Sequence, residues 1–233
     1  MGKTIAIMQP TYLPWVGYFD LMDQSDLFIF LDTVQFEKCS WQKRNKIKTS
    51  SGETWLTIPV KRNGLHQKLI EIEINRSSPF QKKHIKTIEY AYSKAPYYYQ
   101  YMPALQEVLQ KEHQYLIELT IEICLWIRTV LGIETEIIRS SNLKSSGSNV
   151  DLIISLCREV GAQRYYSPRG AAEYIGENNT FLYNNIDLVY QNYLPVTYQQ
   201  LHGNFIPYLS VIDLLMNEGE KSLSIIRAGC QKK

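Results

Sequence analysis

Cysteine is scarce in this sequence, and its spacing is wrong for metal or disulfide chemistry. The four Cys among 233 residues stand at Cys39, Cys124, Cys157 and Cys230. They make no C-x-x-C pair and have no His pair nearby, so neither a zinc centre nor a disulfide framework is indicated, and no metal site is expected. Such usage suits a reducing cytoplasm, with Cys124 and Cys157 read as small core residues inside apolar helical patterns. Long apolar runs are also missing. None approaches the roughly 18 residues of a membrane span, and in MGKTIAIMQP only five residues separate Lys3 from Gln9-Pro10, too few for a signal h-region. The expectation is a cytoplasmic protein with no membrane insertion. Charge of one sign does not dominate, because 25 Lys and Arg face 23 Asp and Glu for a net +2; any basic surface has to be local. The sequence has no G-x-x-x-x-G-K-[ST] loop, no G-x-G-x-x-G turn, no H-E-x-x-H pair and no Ser-His-Asp order.

Tyrosine is what the chain has in excess, with 17 Tyr against 7 Phe and 4 Trp. A phenol pairs an apolar body with a polar tip, so this excess favours a wet, concave surface over a dry interior. Hydrophobic residues at 45% and charged residues at 21% give a globular chain with a sizeable core and exclude disorder and a fibrous fold. The apolar runs 4–8 and 27–31, separated by a helix from Pro14 that carries Trp15, Phe19 and Met22, open a βαβ unit with a parallel sheet. A basic aromatic stretch leads into a strand over 54–60, placed at an edge by Pro59, and Ile/Glu alternation predicts a half-exposed strand over 69–74. Helices are expected from Ser77-Ser78-Pro79 to about Ser93 and after Pro96 and Pro103, the last reaching Val130 with a break at His113-Gln114 and closure at Gly132. Alternation then resumes: strand 134–139, helix 151–160 capped by Ser148, strand 163–166, a short helix after Pro168, strand 186–190 and a final helix 209–217. The whole predicts one α/β domain over 1–233, an open parallel Rossmann-like sheet with helices on both faces. Residues 36–132 enter it as an inserted hairpin and helical subdomain.

Open parallel sheets bind ligands beyond the carboxyl ends of their strands, which selects four loops. The first holds Gln9 and Tyr12 and leads to Trp15 and Tyr18; the second is Asp32-Thr33-Val34-Gln35; the third is Ser140-Ser141-Asn142; the fourth is Ser167-Pro168-Arg169-Gly170. Gln9 both donates and accepts, which suits a bound carbonyl or amine and equally a buried backbone group. Asp32 ends an apolar strand, where a carboxylate meets an amine, a ribose hydroxyl or a metal, or caps the next turn. Lys38, Lys43, Arg44, Lys46 and Lys48 fall within eleven residues that hold no acid, with Trp41 among them and Asn45 beside Arg44. That pattern matches a phosphate with a stacked base, and equally a solvated edge strand. Tyr97, Tyr98, Tyr99 and Tyr101 read as a packing run, whereas Tyr165, Tyr166 and Tyr174 bracket the loop where Ser167, Arg169 and a helix start would hold an anion. Near the C-terminus Tyr198, Gln200 and His202 form a polar loop, with His202 the proton-transfer candidate. Ser210 and Asp213 read as a helix-capping pair.

The block IMQPTYLPWVGYFDLMDQSDLFIFLDTVQFEKCSWQKRNKIKT, then WLTIPV, RYYSPRGAAEYI and YQQLHGNFIPYLSVIDLLMNEG, resembles the WbqC-like family over nearly the whole chain. Members are encoded in bacterial O-antigen and other surface-polysaccharide gene clusters. The resemblance implies a transferase passing an aminoacyl group such as glycine to a nucleotide-linked amino sugar, with ATP or an aminoacyl-tRNA on the donor side and tRNA as a possible partner. On that scheme Lys43, Arg44 and Arg169 hold phosphate, Trp41 or Trp15 stacks a base, Gln9 and Asp32 orient the acceptor amine, and Asp32 or His202 takes its proton. The run Trp15-Val16-Gly17-Tyr18 is also similar, more weakly, to the H-x-G-H segment of HIGH-type nucleotidyltransferases. Both imidazoles are replaced, and Gly17 still lets a phosphate approach the helix. The alternatives are a nucleotidyltransferase-like enzyme with that degenerate motif, a non-catalytic nucleotide-sugar or RNA-binding module, and a scaffold for other biosynthetic enzymes.

Overall fold

The computed structural model describes residues 2–38, 40–61, 64, 66–175 and 179–231, without the side chain of Tyr174. Cys39 lies outside the described residues. Five strands form one parallel sheet: β1 (Thr4–Met8), β2 (Leu27–Phe30), β5 (Glu136–Arg139), β6 (Arg164–Ser167) and β7 (Asp187–Tyr190), in the order β5-β2-β1-β6-β7. From β1 the chain builds outward to β2 and β5, then returns across the sheet to β6. The direction of winding reverses between β1 and β6, so the crevice at a topological switch point opens beside residues 9 and 168.

The β1 and β2 side chains alternate between two cores, which is why both strands read as continuous apolar runs. Ile5, Ile7, Leu27 and Ile29 face a core with α5 (Asn149–Glu159) and Phe181 of α7 (Asn179–Tyr183). Ala6, Phe28 and Phe30 face the other, larger core with α1 (Val16–Asp23) and α8 (Val211–Glu218). Helices therefore cover both faces, as the α/β expectation requires. Cys124 and Cys157 are buried small residues of these cores. Among the described residues no helix is long and apolar enough to cross a membrane.

Between β2 and β5 run a separate antiparallel hairpin, β3 (Arg44–Thr49) with β4 (Gly52–Thr57), and three helices, α2 (Phe80–Tyr92), α3 (Tyr98–Gln110) and α4 (Leu116–Leu131). β4 stops at Thr57, two residues before Pro59, whose carbonyl accepts instead from Asn75 N at 2.8 Å. The strand expected over 69–74 is a correction: Leu69–Glu71 is a 3-10 turn, because Leu69 N and Ile70 N donate to Val34 O and Asp32 O of the loop after β2. The anticipated break near His113-Gln114 is present. There Glu118 accepts from the amides of Gln114 and Tyr115, both at 3.0 Å, and restarts the helix as α4, which Gly132 ends in the left-handed region at φ 71°. Pro79 rather than Ser78 is the α2 N-cap, and Ser148 precedes α5 without a side-chain cap bond. Beyond β6, α6 (Ala172–Ile175) and α7 precede β7, and α9 (Ser222–Ala228) follows α8; α7 and α9 carry too little periodicity to be anticipated.

A buried polar link joins the β1 loop to the helical segment. Tyr12 and His84 are both buried, and the Tyr12 hydroxyl lies 2.8 Å from His84 Nδ1, while the imidazole also meets the Thr57 backbone. Burial, helped by the Lys83 charge, pushes the imidazole from its ordinary 6.5 down to about 4. The unfolded chain binds the proton more readily, so stability present above pH 6.5 falls as pH drops toward about 4. The loss reaches about 3 kcal/mol at most by linkage. Thermal unfolding between pH 7 and 4.5 should show this decline in the native chain and a shallower one in His84→Gln; parallel declines would remove His84 as the cause.

Candidate functional site

The crevice at the end of β1 contains a cavity of about 320 Å³ lined by Met8, Thr11, Trp15, Tyr18, Trp41, Asn45 and Tyr208. Four of these, Trp15, Tyr18, Trp41 and Asn45, are candidates from the sequence, now brought to one place. Met8 is the last residue of β1, and Trp15 is the N-cap of α1. The Trp15 indole folds back over the helix start: a Cβ on Gly17 would lie 2.2 Å from Trp15 Cη2. The opening that Gly17 offers is therefore filled by an aromatic ring, which corrects the expectation that a phosphate would approach there. Trp15 also packs edge-on against Tyr193 at 5.6 Å and against Tyr208 at 5.5 Å between ring centres.

The polar groups around the cavity are held in defined orientations. Glu37 N donates to Gln42 Oε1 at 3.0 Å, which fixes the Gln42 amide, and Gln42 Nε2 donates to Gln9 Oε1 at 2.7 Å. Gln9 is thereby left with Nε2 as its unpaired donor among the described contacts. The Tyr18 hydroxyl donates to Gln9 O at 3.1 Å, and burial pushes that phenol well above its ordinary range. Asn45 spans two backbones, donating to Leu13 O at 2.7 Å and accepting from Lys46 N at 2.8 Å. At the end of β7 Gln191 donates to Gly17 O and to Asp20 Oδ2, tying α1 to the sheet.

Asp32 sits at the end of β2 with no exposed surface. Its two oxygens accept from Arg139 Nε at 2.7 Å, Ser140 Oγ at 2.8 Å, Ser141 N at 2.9 Å and Ser141 Oγ at 2.8 Å. Burial alone would lift this carboxyl, but the hydrogen bonds from Ser140, Ser141 and Arg139 outweigh it and hold the group below the usual carboxylate range. Gln35 pairs with Lys68 and meets His66 Nδ1 at 3.3 Å. Ser167 is buried and Arg169 is exposed after β6; the Tyr174 side chain lies outside the described residues. Tyr12 is turned inward to His84.

The remaining candidates belong to a third cluster. Lys48 is only 1% exposed, and its Nζ donates to Gln200 Oε1, Gly203 O and Asn204 O at 3.2, 3.0 and 2.6 Å. Asp213 accepts from Tyr92 OH at 2.8 Å and Tyr198 OH at 2.7 Å; burial raises all three groups above their ordinary values. Ser210 caps α8, but Asp213 is this buried acceptor and not the second half of a cap. His202 sits in the left-handed region at φ 63° with Nε2 2.8 Å from Ala91 O. Lys43 precedes β3, and Arg44 lies over Trp55, its Cζ 4.5 Å from the ring centre. Among the described residues no group of three or more His, Cys, Asp or Glu could hold a metal ion.

Met8, Thr11 and Tyr208 line the cavity without having been candidates, and Tyr208 is the aromatic among them. Its only signal is the Pro207-Tyr208 step after the polar loop, and its left-handed backbone at φ 59° is not readable from residue type.

A model of the WbqC-like protein family matches residues 9–225, and the chain belongs to that family. An uncharacterized protein of Mycobacterium tuberculosis (strain ATCC 25618 / H37Rv) is 34% identical over 228 residues, which are 97% of this chain and 98% of that protein. No solved structure matches the chain.

Gly17 gives the geometry a direct check. Alanine is the better helix former by about 1 kcal/mol, yet its methyl would collide with an indole already packed on two tyrosines. Gly17→Ala is expected to lower the melting temperature, by about 1–3 kcal/mol of stability, and to change the near-UV circular dichroism. A higher melting temperature with an unchanged aromatic spectrum would show that the Trp15 ring is not held there.

Proposed function

We propose that this WbqC-like family member is a transferase of surface-polysaccharide biosynthesis, passing an aminoacyl group such as glycine to the amine of a nucleotide-linked sugar. The observation that carries the reading is the aromatic cavity at the carboxyl end of β1, where Trp15, Tyr18, Trp41 and Tyr208 surround about 320 Å³. Flat rings suit the apolar face of a sugar or a base. Trp15 and Tyr208 grip the acceptor ring, and Lys43 and Arg169 meet its phosphates.

The donor is an activated acyl ester, formed at the expense of ATP or supplied as an aminoacyl-tRNA. The acceptor nitrogen attacks the ester carbonyl carbon; the carbon–oxygen bond to the carrier breaks, and the departing oxygen takes the proton that the amine loses. An ester is already activated toward an amine, so alignment contributes more than a strong base. Gln9 Nε2, oriented by Gln42, donates to the oxygen that gains charge at the carbonyl. Asp32, with its charge committed to Arg139, Ser140 and Ser141, anchors the turn after β5. His202, tied to Ala91 O, steadies the loop that carries Tyr208.

A second reading is a non-catalytic nucleotide-sugar-binding module. It is favoured by the lining itself, since none of the described lining residues is a carboxylate or an imidazole.

Calorimetric titration with UDP-linked amino sugars separates the readings when paired with a transfer assay using labelled glycyl esters. Trp15→Ala and Tyr208→Ala are expected to weaken binding by about tenfold or more, in line with the roughly 1–3 kcal/mol per base for aromatic stacking. Gln9→Ala should slow transfer by about a hundredfold with little change in binding. Binding without transfer leaves the module; failure to bind any of the sugar nucleotides sinks both.

A further inference from the structure

Segment 36–132 is electrostatically unlike the rest of the chain. It holds 15 Lys and Arg against 9 Asp and Glu, a net +6, while the remaining residues hold 10 against 14, a net −4. The overall +2 is the difference between two regions of opposite sign, a division that marks a polyanion-facing surface.

The basic segment also exposes aromatic rings. Trp41 and Trp55 are 49% and 43% exposed, with ring centres 5.4 Å apart and planes tilted by 34°. Arg44 Cζ lies 4.5 Å and Lys46 Nζ 5.4 Å from the centre of Trp55. Lys46 is paired with Glu53 at 2.8 Å across the hairpin. That pair is solvent-exposed and worth about 1 kcal/mol at most, so a phosphate can displace it. Trp41 is shared with the cavity, which places the indole pair at its mouth. On α2, which packs against β3, Lys82, Lys83 and Lys86 surround a groove with Tyr90, itself 82% exposed.

One nucleoside diphosphate needs two or three cations and one ring. Here cations stand on the hairpin and again on the neighbouring helix α2, and a second indole, Trp55, stands beyond the cavity lining. We propose that this surface docks the unpaired end of an RNA, one base stacked on the Trp41–Trp55 pair, its phosphate on Arg44 and Lys46, and the following backbone along the α2 lysines. The inference rests on the transferase reading above and deepens it: the acyl ester arrives on the 3′ end of an RNA, with its carbonyl delivered past Trp41 to Gln9.

Fluorescence anisotropy of the full chain with a labelled single-stranded RNA hexamer ending in CCA, at 50 to 300 mM KCl, tests this. Affinity is expected to fall with a log–log salt slope of about −3, each phosphate contributing about 0.7. Trp55→Ala should weaken binding by about tenfold or more. The Lys82→Gln, Lys83→Gln, Lys86→Gln triple variant should flatten the slope by about 2. Trp55→Ala should leave UDP-sugar binding to the cavity unchanged, so a loss there as well would mark a misfolded variant, and Trp55→Phe, which keeps a stacking ring, should then retain RNA binding. No RNA binding, RNA binding indifferent to both Trp55 variants, or Trp55-dependent binding of a neutral oligosaccharide without a salt slope would each overturn the proposal. If the chain binds UDP-sugars but not the hexamer, the docking surface falls and the transferase reading survives. RNA binding without UDP-sugar binding supports the surface and removes the cavity's assigned substrate.

Discussion

One buried ammonium fixes the C-terminal loop over the cavity. Lys48 has left water almost completely, and a charge in that position is tolerated only when each of its donors finds an oxygen. Two of its three acceptors are backbone carbonyls, Gly203 O and Asn204 O, and the third is the Gln200 side chain. The loop therefore has to lie across the end of the hairpin. From there the chain reaches Ser210, whose amide donates to Lys46 O and which bridges to Trp15. Tyr208 is held between these two attachments, and the aromatic cavity follows. The neighbouring Tyr92–Asp213–Tyr198 network extends the same anchor into α2 and α8.

The carboxyl ends of β1 and β2 illustrate two different uses of polar residues. At β2, Asp32 gathers four donors and spends its charge on internal order. At β1, the chain places rings and one oriented amide and leaves space between them. The first arrangement is rigid because a buried carboxylate must be satisfied. The second is open because aromatic walls ask for nothing in return beyond packing.

Residue pattern made the sheet legible. β1, β2, β6 and β7 stand within a residue or so of their expected bounds, and β1 and β2, covered on both faces, are written as apolar runs. The 69–74 segment misled for the opposite reason: its Ile/Glu alternation has a strand's period, but the partners its amides find are carbonyls of the β2 loop, which no local pattern records. In the site, Trp15 and Tyr18 were visible as aromatics beyond the first strand, and Trp41 and Asn45 as the indole and amide of the basic stretch. Lys48 was visible only as one more cation of a basic run, and its burial depends on a loop some 150 residues away in sequence. Tyr208 and His84 escaped for the same reason, since each is made significant by a contact between segments that are distant along the chain.

The paired glutamines carry a consequence for how ligand preference is written in this fold. Neither end of an amide is intrinsically the donor. The direction at Gln9 is inherited from Gln42, and Gln42 takes its own from the Glu37 backbone. The hydrogen-bonding sign presented at the β1 end is thus stored at Gln42 and not at Gln9 itself. A carboxylate at position 42 would accept only, turn the Gln9 amide end for end and offer an incoming ligand an oxygen where it now meets a nitrogen. Gln42, itself only 1% exposed, thus sets the sign that the Gln9 amide presents.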